Sequence, residues 1–246
     1  MAGAALLCAW AGLAATRSWG GFVMGAVGAG LCPAMLSHSK FLKEEGALLF
    51  GVAAVLCAGA ILCNRRWHWA ITLALAFVLG AACGVAASGK YSGAIMLIPA
   101  IVLVLLVTIG RWVLMPIMPV LLVCGALWSW SAINHRALAD WDNFRDGFIG
   151  EASHSQDEHM GLAMPKPNAF FAELVWTEAM PHVKVLTIAA PLALLLQRNR
   201  RGDRWPPGFG WWLILGGGVY LVALSHSVIP FLSLIHISEP TRRYAI

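Results

Sequence analysis

Long apolar segments are the feature that most constrains how this chain folds. Eight stretches of the 246-residue sequence carry almost no charge, at about 1–16, 19–36, 47–63, 70–88, 93–110, 113–132, 184–197 and 209–227. A helix that crosses a bilayer needs roughly 20 predominantly apolar residues, and only the first and the seventh stretch are short by that measure. Charged residues make up 12% of the chain, about half the share of a typical soluble domain. The sequence therefore predicts an all-α, polytopic integral membrane protein with about eight transmembrane helices.

Arginine clusters indicate how the predicted helices are oriented. The sequences "NRRWHW" and "RNRRGDRW" lie in short loops near residues 64–69 and 198–207. Short loops rich in lysine and arginine stay on the cytoplasmic side of a membrane. We therefore expect a multi-pass protein of the inner (plasma) membrane in which these two loops are cytoplasmic. The loops 37–46 and 133–183 are then expected on the outer face of that membrane. The net charge of +5 is explained by these loops, and no nucleic-acid-binding pattern accompanies it.

The predicted organisation has four parts. Residues 1–132 form transmembrane helices with the outer loop 37–46, and residues 184–231 form further spans. Between them, residues 133–183 are the one extended polar segment. The apolar residues between 168 and 180 recur at helical spacing, which favours an interfacial helix with Trp176 at headgroup level. Residues 232–246 are expected to be a non-native tail, because "LSLIHISEPTR" at 232–242 matches the in-frame translation of a common transposon-type sequencing adapter.

Two stretches resemble one enzyme family. In "GVAASGKYSGAIMLIP", a glycine-rich helix ends in a turn of the form G-x-A-x-x-x-K-Y-x-G, followed by aliphatics and a proline; the matching residues are Gly84, Ala86, Lys90, Tyr91, Gly93 and Pro99. "PAMLSHSKFLKEEGALLF" has a proline-ended helix, a Ser-His pair and an acidic residue before the next span. Both resemble segments of GT-C glycosyltransferases, of the family 39-like mannosyltransferase and aminoarabinose-transferase type. "DGFIGEASHSQDEHMG" is similar to an E-x-x-H-x-x-x-x-H-x-G loop of some bacterial members.

The resemblance implies sugar transfer from a polyprenyl-phosphate donor to a glycan, lipid or protein acceptor on the outer face. Glu45, or Glu44 if the register shifts by one, would be the site carboxylate, since an acceptor hydroxyl needs a general base. Cationic and hydrogen-bonding groups would stabilise the lipid-phosphate leaving group. The candidates for that role are His38, Lys40, Lys90, His135, Arg136, His154 and His159.

The chain departs from the family pattern near its start. The family's catalytic acid lies in an outer loop after the first helix, whereas no Asp or Glu occurs between Met1 and Lys43. We therefore expect the N-terminal part of the enzyme to be missing and the chain alone to be inactive. The sequence specifies no cofactor. His154 and His159 are five residues apart, whereas two zinc ligands on one helix face are four apart. Binding of a divalent metal is left as an alternative.

The candidate residues also have structural explanations that involve no catalysis. Lys90 at the end of a span is also typical of a lysine that reaches the interface, and the charges at 40–45 suit the first turn of a helix near lipid headgroups. Two other functions remain alternatives. One is an O-antigen ligase or polymerase, which would need arginines on the outer face, where Arg136 and Arg145 are available. The other is a transporter or scaffold, for which ionisable residues within the spans would be expected.

The predicted topology places residue 155 outside the cell. A Ser155→Cys variant should therefore react in intact cells with a membrane-impermeant maleimide, above the background of the unsubstituted protein. Its six native cysteines all lie in apolar segments, so that background should be low. Labelling that appears only after the cells are lysed would place this loop in the cytoplasm.

Overall fold

The computed structural model describes residues 2–30, 45–64, 67–154 and 212, and every regular element in these residues is a helix. The predicted all-α class is thus confirmed for this part of the chain. The α-helices are α1 (Ala2–Thr16), α2 (Trp19–Gly30), α3 (Glu45–Asn64), α4 (Trp69–Gly89), α5 (Leu97–Val107), α6 (Leu114–Ile133), α7 (His135–Ala139) and α8 (Trp141–His154). A 3-10 helix, Tyr91–Met96, precedes α5.

Three helices are long and apolar enough to cross a membrane. They contain the segments Gly46–Cys63 in α3, Trp69–Gly89 in α4 and Leu114–Ile133 in α6. Two shorter apolar helices are Ala2–Thr16 and Gly93–Val107. The first six predicted spans thus coincide with apolar helices, except that nothing is described for residues 31–36 at the end of the second. The expected spans 184–197 and 209–227 lie outside the described residues, apart from Trp212.

The described residues fall into two compact units. One contains the described residues up to His135 together with Trp212, and the other contains Arg136–His154. Residues 135–154, within the predicted outer loop, form α7 and α8, two helices that the sequence analysis did not predict. The segment is polar overall, but it contains a helical pattern. Its apolar residues recur at spacings of three and four: Trp141, Phe144, Phe148 and Ala152.

Glycine allows the backbones of α4 and α6 to approach closely. A Cβ atom at Gly80 would collide with the carbonyl oxygen of Leu122, and one at Gly84 would collide with that of Ala126. From the other side, a Cβ at Gly125 would meet the carbonyl oxygen of Phe77. Small residues spaced four apart are the usual means of close helix packing in a membrane, where lipid tails remove the hydrophobic driving force between helices.

Two hydrogen bonds join the same pair of helices. The hydroxyl of Ser129 donates to the carbonyl oxygen of Ala81 at 2.7 Å. The amide nitrogen of Asn134 donates to the hydroxyl oxygen of Ser88 at 2.9 Å. In these bonds, as in the glycine contacts, later residues of α4 lie beside later residues of α6. The two helices therefore run parallel, and α5, which connects them in the chain, runs in the opposite direction.

The remaining pairs show that successive helices alternate in direction. Gly12 lies against Gly21 and Cys8 against Gly25, so α1 and α2 form an antiparallel hairpin. Its turn contains Arg17 in the left-handed conformation, with φ 54°. The pair α1 and α3 runs parallel instead: the ring of Phe50 lies near Gly3, and Ala11 packs with Cys57 and Ala60 further along.

Alternation produces two opposite ends in the first unit. At one end the guanidinium of Arg111 donates to the carbonyl oxygen of Trp67 at 3.2 Å, which joins the α3–α4 and α5–α6 connections. At the other end, Lys90 follows α4 and Asn134 follows α6. We call these the Arg111 end and the Lys90 end. The α1–α2 turn with Arg17 lies at the Arg111 end, since α1 and α3 run parallel.

The glycine contacts generate a stability prediction. Gly84→Leu should destabilise the folded protein by about 1–3 kcal/mol, because the side chain must displace the backbone of α6. The measurement is unfolding of the purified protein in mixed micelles with increasing SDS. Gly28→Leu is the matched control, since a Cβ at Gly28 in α2 meets no atom within 4 Å. If Gly84→Leu and Gly28→Leu lost the same amount of stability, the close contact between α4 and α6 would have no special importance for the stability of the fold.

Candidate functional site

The Lys90 end collects those candidate residues of the first unit that the structure describes. Glu45 opens α3, and six residues further on Gly51 packs against the backbone of Ala86 in the antiparallel α4. Six helical residues cover about 9 Å, which puts the start of α3 at the level of Lys90 and the 3-10 helix. α3 does contact that 3-10 helix. His135 follows Asn134 at the same end.

Lys90 is the single residue between α4 and the 3-10 helix. Its backbone is extended, with φ −150° and ψ 146°, and its N–H donates to the carbonyl oxygen of Ala86 at 3.3 Å. Its own carbonyl accepts from the N–H of Gly93 at 2.8 Å. Gly93 lies so close to Ala86 that a Cβ there would collide with the backbone. The chain therefore reverses sharply at Lys90, which leaves this half-buried lysine at the end of the bundle.

Ser88 and Asn134 are site residues that the sequence analysis missed. Asn134 donates to Ser88, whose hydroxyl donates in turn to the carbonyl oxygen of Gly84 at 2.8 Å. This chain of hydrogen bonds holds the last turn of α4 beside the end of α6. Lys90 and His135 lie two residues and one residue beyond the bonded pair, so chain connectivity keeps both at the same rim. A polar residue directly after an apolar run, as at Asn134, was the available signal.

The second unit contains the other candidates that are described. Arg136 is an exposed residue of α7, and His154 is the last residue of α8. Arg145 is engaged by carboxylates: it donates to Asp146 at 3.0 Å and lies 3.7 Å from Asp142. Both of these pairs are exposed to solvent. His38, Lys40, Glu44 and His159 lie outside the described residues.

No metal centre is assembled in residues 2–30, 45–64, 67–154 and 212. Among these residues, no group of three or more His, Cys, Asp or Glu side chains is placed to hold an ion. Lys90, His135 and the hydrogen-bonding groups of Ser88 and Asn134 are of the kinds that suit an anion such as a phosphate.

Tryptophan and arginine dominate the Arg111 end. Trp19, Trp69 and Trp112 lie at this end, and all three are exposed. Trp67 differs, because its indole nitrogen donates to the carbonyl oxygen of Ile61 at 2.9 Å. It thereby satisfies one of the carbonyl groups that the end of α3 leaves without a helical partner.

Trp212 is buried against α3 and α5. It is 3% exposed, its ring lies against Gly59 of α3, and its indole nitrogen donates to the carbonyl oxygen of Pro99 at 3.0 Å. The missing side chain at Gly59 and the proline carbonyl together create the space and the acceptor for a buried indole, which needs a hydrogen-bond partner.

Comparison with known proteins leaves the family open. No family model matches this chain, and neither a curated protein nor a solved structure shows significant similarity to it. The resemblance to GT-C glycosyltransferases therefore remains a prediction that depends on the residues quoted for it.

The pair of Ser88 and Asn134 allows a direct test of the site's framework. In a double-mutant cycle, Ser88→Ala and Asn134→Ala should show a coupling free energy of about 0.6 kcal/mol, the average for hydrogen bonds between membrane helices, and at most about 1.7 kcal/mol. The measurement is SDS-induced unfolding.

Ser131→Ala is the matched control for this cycle. Its hydroxyl donates to the carbonyl oxygen of Trp128 within α6 and is exposed. Combined with Ser88→Ala, it should give a coupling energy near zero. A Ser88–Asn134 coupling no larger than that of the control would show that the hydrogen bond does not join the helices.

Proposed function

We propose that this chain is a multi-pass membrane glycosyltransferase of the GT-C type, with about eight spans, which takes a sugar from a polyprenyl-phosphate carrier. The observation that carries the proposal is the gathering of Glu45, Lys90 and His135 at one end of the first unit. Three separate segments reach this end: the start of α3, the end of α4 and the residue pair after α6.

The alternation of helices supports a defined orientation. Arg17 and Arg111 lie at the end opposite to Lys90, together with the exposed Trp19 and Trp112. Lysine and arginine in short loops are typical of the cytoplasmic side, whereas tryptophan is enriched at both interfaces. In the proposed topology the Arg111 end is therefore cytoplasmic, and the Lys90 end faces outward in the plasma membrane.

The short helix α5 fits this topology when the 3-10 helix is counted with it. At about 2.0 Å per residue the 3-10 helix adds about 12 Å, and at 1.5 Å per residue α5 adds about 16 Å. Their combined length of about 28 Å approaches the thickness of the hydrocarbon core. A segment that starts at Lys90 would thus cross the bilayer and arrive at the Arg111 end.

The proposed mechanism divides the work between two kinds of residue. Lys90 and His135 attract the phosphate of the carrier and stabilise the negative charge that develops on it as the sugar leaves. Glu45 accepts the proton of the acceptor hydroxyl. Asn134 and Ser88 are positioning residues, because their hydrogen bond holds the segments that carry Lys90 and His135 together.

The two alternative functions have less support. The candidate spans Gly46–Cys63, Trp69–Gly89 and Leu114–Ile133 contain no Asp, Glu, Lys, Arg or His. Ion-coupled transporters usually place such residues within their spans. An O-antigen ligase would use arginines on the outer face, but Arg145 is already engaged by Asp142 and Asp146.

The proposal predicts selective binding of a polyprenyl phosphate. The purified chain in phosphatidylcholine nanodiscs should bind undecaprenyl phosphate at least tenfold more tightly than phosphatidylglycerol. Lys90→Ala should weaken the binding of undecaprenyl phosphate about tenfold, which corresponds to about 1.4 kcal/mol. The measurement is native mass spectrometry with a titration of each lipid.

Two control variants separate the proposed roles. Lys90→Arg keeps the charge and should retain most of the affinity, whereas Glu45→Gln should leave carrier binding unchanged, since Glu45 acts on the acceptor. Equal affinity for undecaprenyl phosphate and phosphatidylglycerol would show that the Lys90 end binds anionic lipids in general, and it would refute the proposed donor.

A further inference from the structure

The turn between α5 and α6 holds one arginine in a fixed position. The N–H of Arg111 donates to the carbonyl oxygen of Thr108 at 2.8 Å, and the carbonyl oxygen of Arg111 accepts from the N–H of Leu114 at 2.9 Å. Gly110, directly before Arg111, has φ 82°, a left-handed conformation that glycine adopts at little cost. The buried hydroxyl of Thr108 donates to the carbonyl oxygen of Val104 at 2.9 Å. The backbone of Arg111 is thus tied to the end of α5 and to the start of α6.

The guanidinium of Arg111 is held as well, by a backbone carbonyl rather than by a carboxylate. It donates to the carbonyl oxygen of Trp67 at 3.2 Å. Trp67 is itself fixed to α3, because its indole nitrogen donates to the carbonyl oxygen of Ile61. Within the described part of the chain, no carboxylate forms an ion pair with Arg111. A guanidinium has five N–H donors, and a carbonyl oxygen that accepts from one of them does not neutralise its charge.

The first unit contains few acidic residues, and they are far from this arginine. Between Met1 and Ala139 the acidic residues are Glu44 and Glu45. Glu45 begins α3, whose 20 residues cover about 30 Å and end three residues before Trp67. The described part of the Arg111 end therefore has a positive charge that an external anion can compensate.

Large apolar side chains flank Arg111 and are accessible. Trp112 is 80% exposed, Val113 is 78% exposed and Ile109 is 56% exposed. α6 begins directly after Val113 and is long and apolar enough to cross a membrane. A cation placed between exposed apolar side chains at the start of such a helix suits a molecule in which a phosphate is joined to hydrocarbon. A membrane phospholipid has that chemistry.

We propose that the guanidinium of Arg111 binds the phosphate of an anionic phospholipid, with Trp112 and Val113 against the glycerol and upper acyl carbons. Guanidinium and phosphate form strong, charge-assisted hydrogen bonds. Tryptophan is enriched at headgroup level, and basic sites on membrane helices bind lipid headgroups. This site lies at the end opposite to Lys90. It rests on the membrane position of the first unit, as in the proposed function, and not on glycosyl transfer.

The test measures binding of phosphatidylglycerol to the full chain in phosphatidylcholine nanodiscs, by native mass spectrometry with a lipid titration. Arg111→Gln should weaken this binding about tenfold, because a hydrogen bond between charged groups is lost. Trp112→Ala should weaken it about threefold through lost apolar contact, and the exposed position of this side chain keeps the fold intact. Arg145→Gln is the matched control: it also removes one guanidinium, and it should leave the affinity unchanged.

Two further ligands separate this site from its neighbours. Undecaprenyl phosphate is expected at the Lys90 end, so Arg111→Gln should not change its affinity. The two proposed sites can therefore fail independently. Glycerophosphoglycerol, the soluble headgroup without acyl chains, should bind about a hundredfold more weakly than phosphatidylglycerol, since it lacks the apolar contacts.

Several results would overturn the proposal. Unchanged phosphatidylglycerol binding in Arg111→Gln would show that the guanidinium does not hold the headgroup, as when another part of this chain occupies it. An equal loss in Arg145→Gln would show a response to net charge alone. Tight binding of glycerophosphoglycerol would indicate a site for a free phosphate ester. If Arg111→Gln did not fold, unchanged binding in Trp112→Ala would by itself refute the lipid site.

Discussion

The backbones of α4 and α6 lie in direct contact, and the rest of the first unit depends on this contact. Gly80 and Gly84 face carbonyl oxygens of α6, and Gly125 faces one of α4. Without that approach, neither the bond from Ser129 to Ala81 nor the bond from Asn134 to Ser88 would form. In a lipid environment such packing and hydrogen bonding replace the hydrophobic effect as the attraction between helices. The position of Lys90 relative to His135 follows from it.

Sharp chain reversals set where functional groups lie in this protein. At Lys90 the chain turns within a single residue, because Gly93 tolerates the backbone of Ala86 at close range. At the opposite end, Trp67 and Arg111 fix the connections through main-chain carbonyl groups. Both ends are therefore ordered by small, specific polar contacts, while the three candidate spans between them contain no Asp, Glu, Lys, Arg or His.

Much of the helical architecture was predictable from apolar run length, since helices α3, α4 and α6 begin and end within two residues of the expected spans. The helices at 135–154 were not expected, because charged residues interrupt their apolar spacing. The bond between Ser88 and Asn134 and the burial of Trp212 depend on partners far away in the chain, which local patterns do not encode. Three positions of the candidate site, Lys90, His135 and the start of α3 at Glu45, lie at the same end of the first unit. The roles assigned to them remain predictions.

The burial of Trp212 has a consequence for how the protein is made. Its partners, Gly59 and Pro99, are synthesised more than 100 residues earlier, so the recess between α3 and α5 exists before its occupant does. During that interval the carbonyl of Pro99 and the bare backbone at Gly59 face whatever surrounds the nascent helices. Maturation of the N-terminal helices is thus completed only when the tryptophan arrives.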